Sequence, residues 1–195
     1  MPRDKDALRK EILKARRSLP AEYRQRASEA IMARLLGCEV YRQAEAVMAY
    51  APMADEVQLQ GLLEHSLQVG KLLALPYVIS QGLMAAVRLK ALAALTEGAY
   101  GILTVADEGR EMLPSGSLDM IVVPGVAFGL DGSRLGMGAG FYDRFMSENE
   151  PQALRIALCF DCQLAEEIPM EKHDQRVEAI ITETRFIDCR SGKVR

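Results

Sequence analysis

Glycine is concentrated in one segment of this 195-residue chain, residues 122–144, which holds six of the 15 glycines. A β-rich run, residues 120–123, leads into the segment, and an amphipathic run begins at Phe141. Glycine is favoured where the backbone needs a positive φ angle or where a ligand lies against bare backbone. Three glycines alternate just before Phe141, and alternation there exposes backbone N–H groups that favour an anion such as phosphate. The segment therefore predicts a strand, a phosphate-binding loop and a helix, in that order.

The spacing of these glycines separates the segment from two common phosphate-binding motifs. It is G-x-G-x-G rather than the dinucleotide-binding G-x-G-x-x-G, and it lacks the G-K-[ST] of a P-loop. Arg134 adds a cation beside the glycines, and Asp143 adds a possible magnesium ligand. A structural alternative stays open, in which the glycines only allow a long connection to turn.

Composition argues against several classes of function. The net charge is −3 and tryptophan is absent, so we expect no nucleic-acid partner. No apolar run is long enough to span a bilayer, and the charged first 20 residues are unlike a signal peptide. We therefore expect a cytoplasmic protein without a membrane partner, folded as a single domain over residues 1–195.

The four cysteines include one C-x-x-C pair, Cys159 and Cys162. The remaining cysteines, Cys38 and Cys189, and the two histidines do not complete an obvious zinc site. A redox pair normally begins a helix, whereas Cys159 ends a predicted buried strand. We expect free, reduced thiols, with metal or redox chemistry as the alternative.

Apolar residues alternate along the chain between helical and strand-like spacing. Helices are predicted over residues 4–17, 20–37 and 57–69. Strands are predicted over residues 46–51, 72–75 (ended by Pro76), 83–89, 120–123, 154–160 and 178–182. A loop with a short helix is predicted over residues 91–116. Alternating strands and helices predict an α/β fold with a largely parallel sheet.

Two further groups of charged residues lie where ligands could bind. Lys5 and Arg9 are four residues apart and share one edge of the first helix, so both could reach phosphates. The alternative is an ordinary solvated basic face. Glu56 follows the strand over residues 46–51, and open α/β sheets bind ligands beyond the carboxyl ends of their strands. For Glu56 the alternative is a charge in the first turn of a helix.

Four blocks, in order along the chain, carry a more specific pattern. They are the first helix with Lys5, Leu8 and Arg9; Tyr50-Ala-Pro-Met-Ala-Asp-Glu56; Val123-Pro-Gly-Val-Ala-Phe with Gly132-Ser-Arg-Leu-Gly-Met-Gly-Ala-Gly-Phe-Tyr-Asp-Arg144; and a C-terminal block within residues 156–183. Together they resemble the 5-formyltetrahydrofolate cyclo-ligase family, also called methenyltetrahydrofolate synthetases. The resemblance implies a three-layer α/β/α fold related to the ribose-5-phosphate isomerase and CoA-transferase group.

The resemblance also implies a reaction. ATP and magnesium would drive conversion of 5-formyltetrahydrofolate to 5,10-methenyltetrahydrofolate, with release of ADP and phosphate, through a phosphorylated formyl oxygen. The partners implied are these small molecules alone, bound by a monomer.

The resemblance assigns roles to individual residues of this chain. The residues implied for ATP are Lys5, Arg9, Arg134, Leu135, Gly136, Met137, Gly138, Ala139, Gly140, Phe141 and Tyr142. Arg134 and Tyr142 are implied as catalytic. Ala51, Glu56 and Tyr142 are implied for the folate, and Asp143 and Asp174 for magnesium.

The chain departs from the family pattern at several positions. Phe141 stands where a first tyrosine is usual, and Tyr77 stands where an arginine often follows the proline. Gly129 replaces a frequent aspartate, and Thr104-Val105 replaces a common Glu-Pro. Two other functions stay open: an enzyme of the same fold acting on a phosphorylated metabolite, and a non-enzymatic nucleotide- or folate-binding protein.

Overall fold

The structure, a computed structural model, describes residues 4–97, 103–106, 110–148 and 152–194. The α-helices in these residues are α1 (Lys5–Ser18), α2 (Ala21–Gly37), α3 (Glu39–Gln43), α4 (Gln60–Gln68) and α5 (Phe141–Glu148). The predicted helices are confirmed, although α4 begins later than expected and α3 was not predicted. None of the helices in the described ranges is long and apolar enough to cross a bilayer.

The strands of the described residues are mostly short. They are β1 (Ala46–Met48), β2 (Leu72–Ser80), β3 (Leu83–Arg88), β4 (Leu95–Glu97), β5 (Leu103–Val105), β6 (Met112–Leu113), β7 (Met120–Val122), β8 (Ala127–Gly129), β9 (Arg134–Leu135), β10 (Leu154–Leu158), β11 (Leu164–Ala165), β12 (Ala179–Ile181), β13 (Phe186–Asp188) and β14 (Lys193–Val194). Every strand predicted from sequence is present. The short strands β8, β9 and β11 and the C-terminal hairpin β13–β14 were not predicted. Where loop with a short helix was predicted, over residues 91–116, the described residues hold a 3₁₀ turn at Leu92–Ala94, the hairpin β4–β5 and strand β6.

Nine of these strands form one sheet in the order β14-β13-β12-β10-β7-β1-β2-β3-β6. Its five central strands, from β12 to β2, pair in parallel. Both margins are antiparallel, with β3 and β6 on one side and β13 and β14 on the other. The largely parallel sheet is therefore confirmed, and the carboxyl ends of its central strands share one edge.

Apolar clusters cover both faces of this sheet. On one face, Ile31 of α2 and Leu62 of α4 share a buried cluster with Val47 of β1. On the other face, Phe145 of α5 shares a buried cluster with Ile121 of β7. The protein thus has the three-layer α/β/α arrangement expected. Its relation to the ribose-5-phosphate isomerase and CoA-transferase group stays a prediction.

Helix α1 packs elsewhere, against the small sheet of strands β11, β8 and β9. Leu8 and Ile12 form a separate buried cluster with Val126, Leu135 and Ile168. Full burial of one such aliphatic side chain contributes about 1.5–3 kcal/mol. These contacts fix α1 beside the segment that leads into the glycine-rich loop.

The prediction that Pro76 ends its strand is wrong, because β2 continues to Ser80 and pairs with β3. The carbonyl of Ala74 accepts from Ala49, beyond the last residue of β1. Backbone groups alternate between the two sides of a strand, so position 76 points to the side where β1 has already ended. The missing N–H of proline therefore costs no ladder bond. The hairpin that results carries Gly82 to the neighbourhood of α5.

Candidate functional site

The glycine-rich loop connects β9 to α5. Gly138 and Gly140 have φ angles of 103° and 69°, which residues with side chains rarely adopt. The amide of Arg144 donates to the carbonyl of Gly140 at 3.1 Å, so helical hydrogen bonding begins directly after the loop. The N-terminal end of a helix favours an anion. The predicted strand over residues 120–123 and the helix from Phe141 are confirmed as β7 and α5, but the short strands β8 and β9 interrupt the predicted loop. Phosphate binding by the remaining loop stays a prediction, and two of its glycines meet a backbone requirement.

Arg134 lies next to this loop and is 5% exposed. Its Nη2 donates to Oδ1 of Asp143 at 2.6 Å, and its Nη1 donates to the carbonyl oxygen of Pro124 at 3.2 Å. A Cβ atom at Gly136 would stand 3.1 Å from Nη1, so glycine there admits the guanidinium close to the loop backbone. The Nε of Arg134 is buried and has no hydrogen-bond partner among the described residues. A buried unpaired N–H is costly, and a bound anion would satisfy it.

Helix α1 contributes two cations, one that contacts the loop and one that contacts Asp174. The Nε of Arg9 donates to the carbonyl oxygen of Gly136 at 2.9 Å. The Nζ of Lys5 lies 2.7 Å from Oδ2 of Asp174. Burial acts to lower the pKa of Lys5, but hydrogen bonds to Asp174 and Glu171 outweigh it and raise the pKa. The structure therefore places Arg9 against the loop and Lys5 against Asp174, and both side chains are partly buried rather than on a solvated face.

Asp143 and Asp174, the two residues expected to bind magnesium, lie close to each other. Oδ1 of Asp143 accepts from the backbone N–H of Gln175, the residue after Asp174, at 3.0 Å. Within the described ranges, three or more acidic, histidine or cysteine side chains do not gather into a metal site. Magnesium commonly uses one or two carboxylates together with phosphate oxygens and water, so this pair beside a phosphate loop suits the ion. Their role as ligands stays a prediction.

The exit of β1 holds a buried ion cluster that was not predicted. Arg16, only 1% exposed, donates from Nη2 to Oδ2 of Asp55 at 3.0 Å and from Nη1 to Oε1 of Glu56 at 3.3 Å. The backbone N–H of Met53 donates to Oε2 of Glu56 at 2.9 Å. Burial raises the pKa of Glu56, although the Met53 amide and Arg16 act to lower it. Glu56 is thus a desolvated carboxyl group held in a fixed orientation.

The spacing along α1 could have revealed Arg16. Leu8, Ile12 and Arg16 follow one another at four-residue intervals, and the first two are core residues. An arginine on such an apolar stripe is buried with the stripe, and a buried charge needs an acidic partner. The acidic pair Asp55 and Glu56, at a strand exit, was the available partner.

Tyr142 lies near both the loop and the strand exit. Burial raises its pKa, the charge of Arg134 acts to lower it, and the charge of Glu56 adds to the rise. Tyr50, 5% exposed, has its pKa raised well above the ordinary value by burial and by Glu56 and Tyr142. The Oη of Tyr142 is buried without a hydrogen-bond partner among the described residues. Two buried polar atoms, Nε of Arg134 and Oη of Tyr142, are therefore available to hydrogen-bond a polar ligand.

The other residues implied for the site differ in what they offer. Met137 is 55% exposed, and Ala139 is also exposed. Leu135 is buried against α1, and its carbonyl accepts from Val126, so its side chain belongs to the core. Ala51 lies three residues after the end of β1 and is half-buried. These residues present mainly backbone to a ligand.

A guanidinium group stands beside Tyr77, where the family often has arginine. The Cζ of Arg110 lies 3.6 Å from the centroid of the Tyr77 ring. The Nη2 of Arg110 donates to the carbonyl of Val105 at 3.0 Å. The residues leading to β6 thus supply a positive charge next to position 77. Val105, at the Thr104-Val105 departure, contributes this backbone carbonyl and a side chain buried in the cluster that Tyr77 packs against.

The thiols of the C-x-x-C pair lie in different settings. Cys159 is fully buried directly after β10, and Cys162 lies in a single 3₁₀ turn. Burial raises the pKa of both thiols, that of Cys159 well above its ordinary value. Reactive cysteines instead have lowered pKa values. This geometry opposes the redox alternative.

Comparison with known proteins identifies the family. The profile of the 5-formyltetrahydrofolate cyclo-ligase family matches residues 2–183. The chain belongs to this family. A 5-formyltetrahydrofolate cyclo-ligase of Mycolicibacterium smegmatis is 35% identical, over 95% of this chain and 97% of that protein. The mouse 5-formyltetrahydrofolate cyclo-ligase is 30% identical, over 92% of this chain and 93% of that protein.

Solved structures agree with this membership. The 5,10-methenyltetrahydrofolate synthetase of Aquifex aeolicus superposes with a TM-score of 0.85 at 34% identity, covering 97% of this chain and 94% of that one. The synthetase of Mycoplasma pneumoniae superposes with a TM-score of 0.76 at 21% identity, covering 93% and 99%. At 21% identity, the similarity to the Mycoplasma pneumoniae structure supports the fold alone. The membership expected from the four sequence blocks is confirmed.

Proposed function

We propose that this cyclo-ligase family member converts 5-formyltetrahydrofolate to 5,10-methenyltetrahydrofolate, using ATP and magnesium and releasing ADP and phosphate. One observation carries the proposal beyond family membership. The glycine-rich loop, the cations Lys5, Arg9 and Arg134, and the carboxylates Asp143 and Asp174 form one continuous network. Nucleoside triphosphates bind to such combinations of backbone amides, cations and metal-binding carboxylates.

The proposed reaction turns a formyl oxygen into a leaving group. The γ-phosphoryl group of ATP moves to that oxygen, so the P–O bond to ADP breaks and a new P–O bond forms. The second folate nitrogen then attacks the formyl carbon and loses its proton. The C–O bond breaks and inorganic phosphate departs. This chemistry depends on positioning and charge neutralisation more than on a nucleophilic side chain.

The residues around the loop suit the phosphate half of this reaction. Loop amides and Arg134 would bind phosphate oxygens, and the buried Nε of Arg134 is available as a donor. Lys5 and Arg9 would close over the phosphates from α1. Asp143 and Asp174 would hold magnesium, whose chemistry here would be to offset the negative charge of the phosphates.

The residues around the exit of β1 suit the folate half. The carboxyl of Glu56 is buried and oriented, and it could accept hydrogen bonds from N–H donors of the pterin ring. Tyr142 Oη, unpaired among the described residues, would contact either substrate near the reacting oxygen. The backbone at Ala51 would border the same ring. Since these groups belong to one chain, we also propose that a monomer is sufficient, and a cytoplasmic location stays a prediction.

A near-ultraviolet absorbance assay tests the proposal directly. Purified protein is mixed with 5-formyltetrahydrofolate, ATP and magnesium, and the methenyl product is followed over time. Product that requires both ATP and magnesium supports the proposed reaction. Folded protein that binds ATP but forms no product would favour a binding protein or a different substrate.

Substitution of Arg134 tests the assigned site. We expect Arg134→Ala to lower kcat/KM by about 10²–10³-fold, because it removes a preorganised donor for developing phosphate charge. Arg176→Ala is the matched control, since Arg176 is half-exposed and pairs with Asp131 at the surface. Circular dichroism would check that both variants fold. Unchanged turnover in Arg134→Ala would contradict the role given to Arg134.

A further inference from the structure

Arg144, one turn into α5, joins two chain segments that are far apart in sequence. Its Nε donates to the carbonyl oxygen of Gly82 at 2.6 Å, in the tip of the β2–β3 hairpin. Its Nη2 donates to the carbonyl oxygen of Ala139, in the glycine-rich loop. Its Cζ lies 5.9 Å from the centroid of the Phe141 ring. A planar guanidinium has donors in a fixed fork, so one side chain holds both carbonyls in a defined relation.

The two glycines beside Arg144 make room for this contact. Gly82 has a φ of 81°, and a Cβ there would stand 2.6 Å from Nη2 of Arg144. Gly140 has a φ of 69°, and a Cβ there would stand 2.8 Å from Nη1. Real Cβ atoms do not approach other atoms so closely. The backbone conformation therefore favours glycine at both positions, and a Cβ at either one would force the end of the Arg144 side chain to move.

The contacts define a shared cleft. Hairpin tip and loop together line a depression of about 480 Å³, bordered by Gln81, Gly82, Gly138, Ala139, Phe141 and Arg144. On this side of the loop Met137 is exposed and Ala139 has no side chain able to hydrogen-bond. Arg144 supplies a side-chain hydrogen bond to the backbone of this part of the loop.

We infer that Arg144 is a positioning residue, which holds the phosphate-binding loop against the tip of the β2–β3 hairpin and so fixes the loop amides for the nucleotide. This inference rests on the proposed function, because it assumes that the loop binds ATP. It makes the hairpin tip part of the nucleotide site, although β3 lies in the antiparallel margin of the sheet. Arg144 acts here through backbone carbonyls and not through contact with the reacting atoms.

The first test is the effect of Arg144→Ala on the two substrates separately. Loss of two hydrogen bonds to the loop and hairpin should raise the KM and Kd for ATP about five- to tenfold. The kcat at saturating ATP and the KM for 5-formyltetrahydrofolate should stay near wild type. Arg144→Lys should restore little, because a single ammonium on a flexible stem does not reproduce the fork. Full restoration of ATP affinity in Arg144→Lys would overturn the positioning role. A loss of kcat in Arg144→Ala as large as its loss of ATP affinity would also overturn it.

A matched pair of glycine substitutions tests the hairpin's part. Gly82→Ala introduces both backbone strain and a collision with Arg144, whereas Gly70→Ala introduces similar strain at a φ of 76° with open space around the new Cβ. Both should lower the melting temperature by a similar amount, but only Gly82→Ala should weaken ATP binding. Combining Gly82→Ala with Arg144→Ala should add no further loss of affinity, because both act on one contact. Equal affinities in the two glycine variants would overturn the inference.

These outcomes separate the inference from the proposed function. Wild-type protein that turns over with ATP while Arg144→Ala is unchanged overturns only the role of Arg144. Wild-type protein that neither binds ATP nor turns over overturns both.

Discussion

Around the glycine-rich loop, the cations of α1 keep part of their side chains in water: Lys5 is 23% exposed and Arg9 is 18% exposed. At the exit of β1, Arg16 is 1% exposed and faces two carboxylates. Partly hydrated ion pairs are weak and exchange partners readily, whereas buried ones are costly to break. The α1 side of the loop half is therefore suited to accept and release a charged ligand, and the strand-exit half is suited to hold one group in a fixed orientation.

Both halves depend on the same helix. Lys5 and Arg9 lie in the first turns of α1, and Arg16 lies in its last turn. Leu8 and Ile12 anchor the helix between them. Substitutions along α1 can therefore disturb one half at a time, which makes the comparison open to experiment.

Removal of the buried arginine should have the largest effect on stability. Arg16→Met leaves Asp55 and Glu56 without their buried cation, so we expect the free energy of unfolding to fall by about 3–5 kcal/mol. The KM for folate should rise, while the Kd for ATP should stay near wild type. Urea denaturation measures the free energy of unfolding, steady-state kinetics measure the KM for folate, and calorimetric titration measures the Kd for ATP.

Arg17→Met is the control for this change. Arg17 is 65% exposed and its Nε lies 3.5 Å from Asp55, so its loss should change the free energy of unfolding by less than about 1 kcal/mol. If Arg16→Met weakened ATP binding as much as folate binding, the two halves would not be separable.

The loop half could be predicted from sequence because its information is local. The glycines, Arg134 and Asp143 lie within one short segment, and the four-residue spacing of Lys5 and Arg9 is visible along one helix. Neither feature requires knowledge of distant contacts. The helices and central strands were predictable for the same reason, since apolar spacing is a local property.

The rest depends on contacts between distant segments. Arg16 with Glu56 and Arg144 with Gly82 join residues 40 and 62 positions apart. Pro76 was misjudged because its effect depends on where the neighbouring strand β1 ends. Local propensity does not contain that information, whereas strand order and register do.

Loss of the Tyr142 hydroxyl should separate stability from activity. Its buried Oη has no partner among the described residues, so Tyr142→Phe should leave the free energy of unfolding unchanged or raise it by up to about 1 kcal/mol. If the hydroxyl serves a substrate, kcat/KM should fall by about tenfold, the value of one hydrogen bond. Tyr41→Phe should show the opposite pattern, because the Tyr41 hydroxyl lies 3.0 Å from Ser66 and 2.8 Å from His65. Destabilisation by Tyr142→Phe with full activity would contradict the assigned role.

The smallest expected effect is a difference in how the two halves respond to pH. Burial raises the pKa of Glu56 above its ordinary value of 4.5. As pH falls, the native state therefore binds a proton at Glu56 at a higher pH than the unfolded state does. The stability of wild type relative to Glu56→Gln should therefore increase as pH falls towards 4.5, by about 1.4 kcal/mol for each unit of pKa shift.

Asp174 should respond with the opposite sign. Burial acts to raise its pKa, but Lys5 and the Glu171 amide outweigh burial and lower it below 3.8. The stability of wild type relative to Asp174→Asn should be constant above that pH and should be lost as pH falls below it, because the native carboxylate must then be protonated. Unfolding free energies of the three proteins between pH 3 and pH 7 measure both slopes. Slopes of the same sign would contradict the contrast between the partly hydrated Lys5–Asp174 pair and the desolvated carboxyl of Glu56.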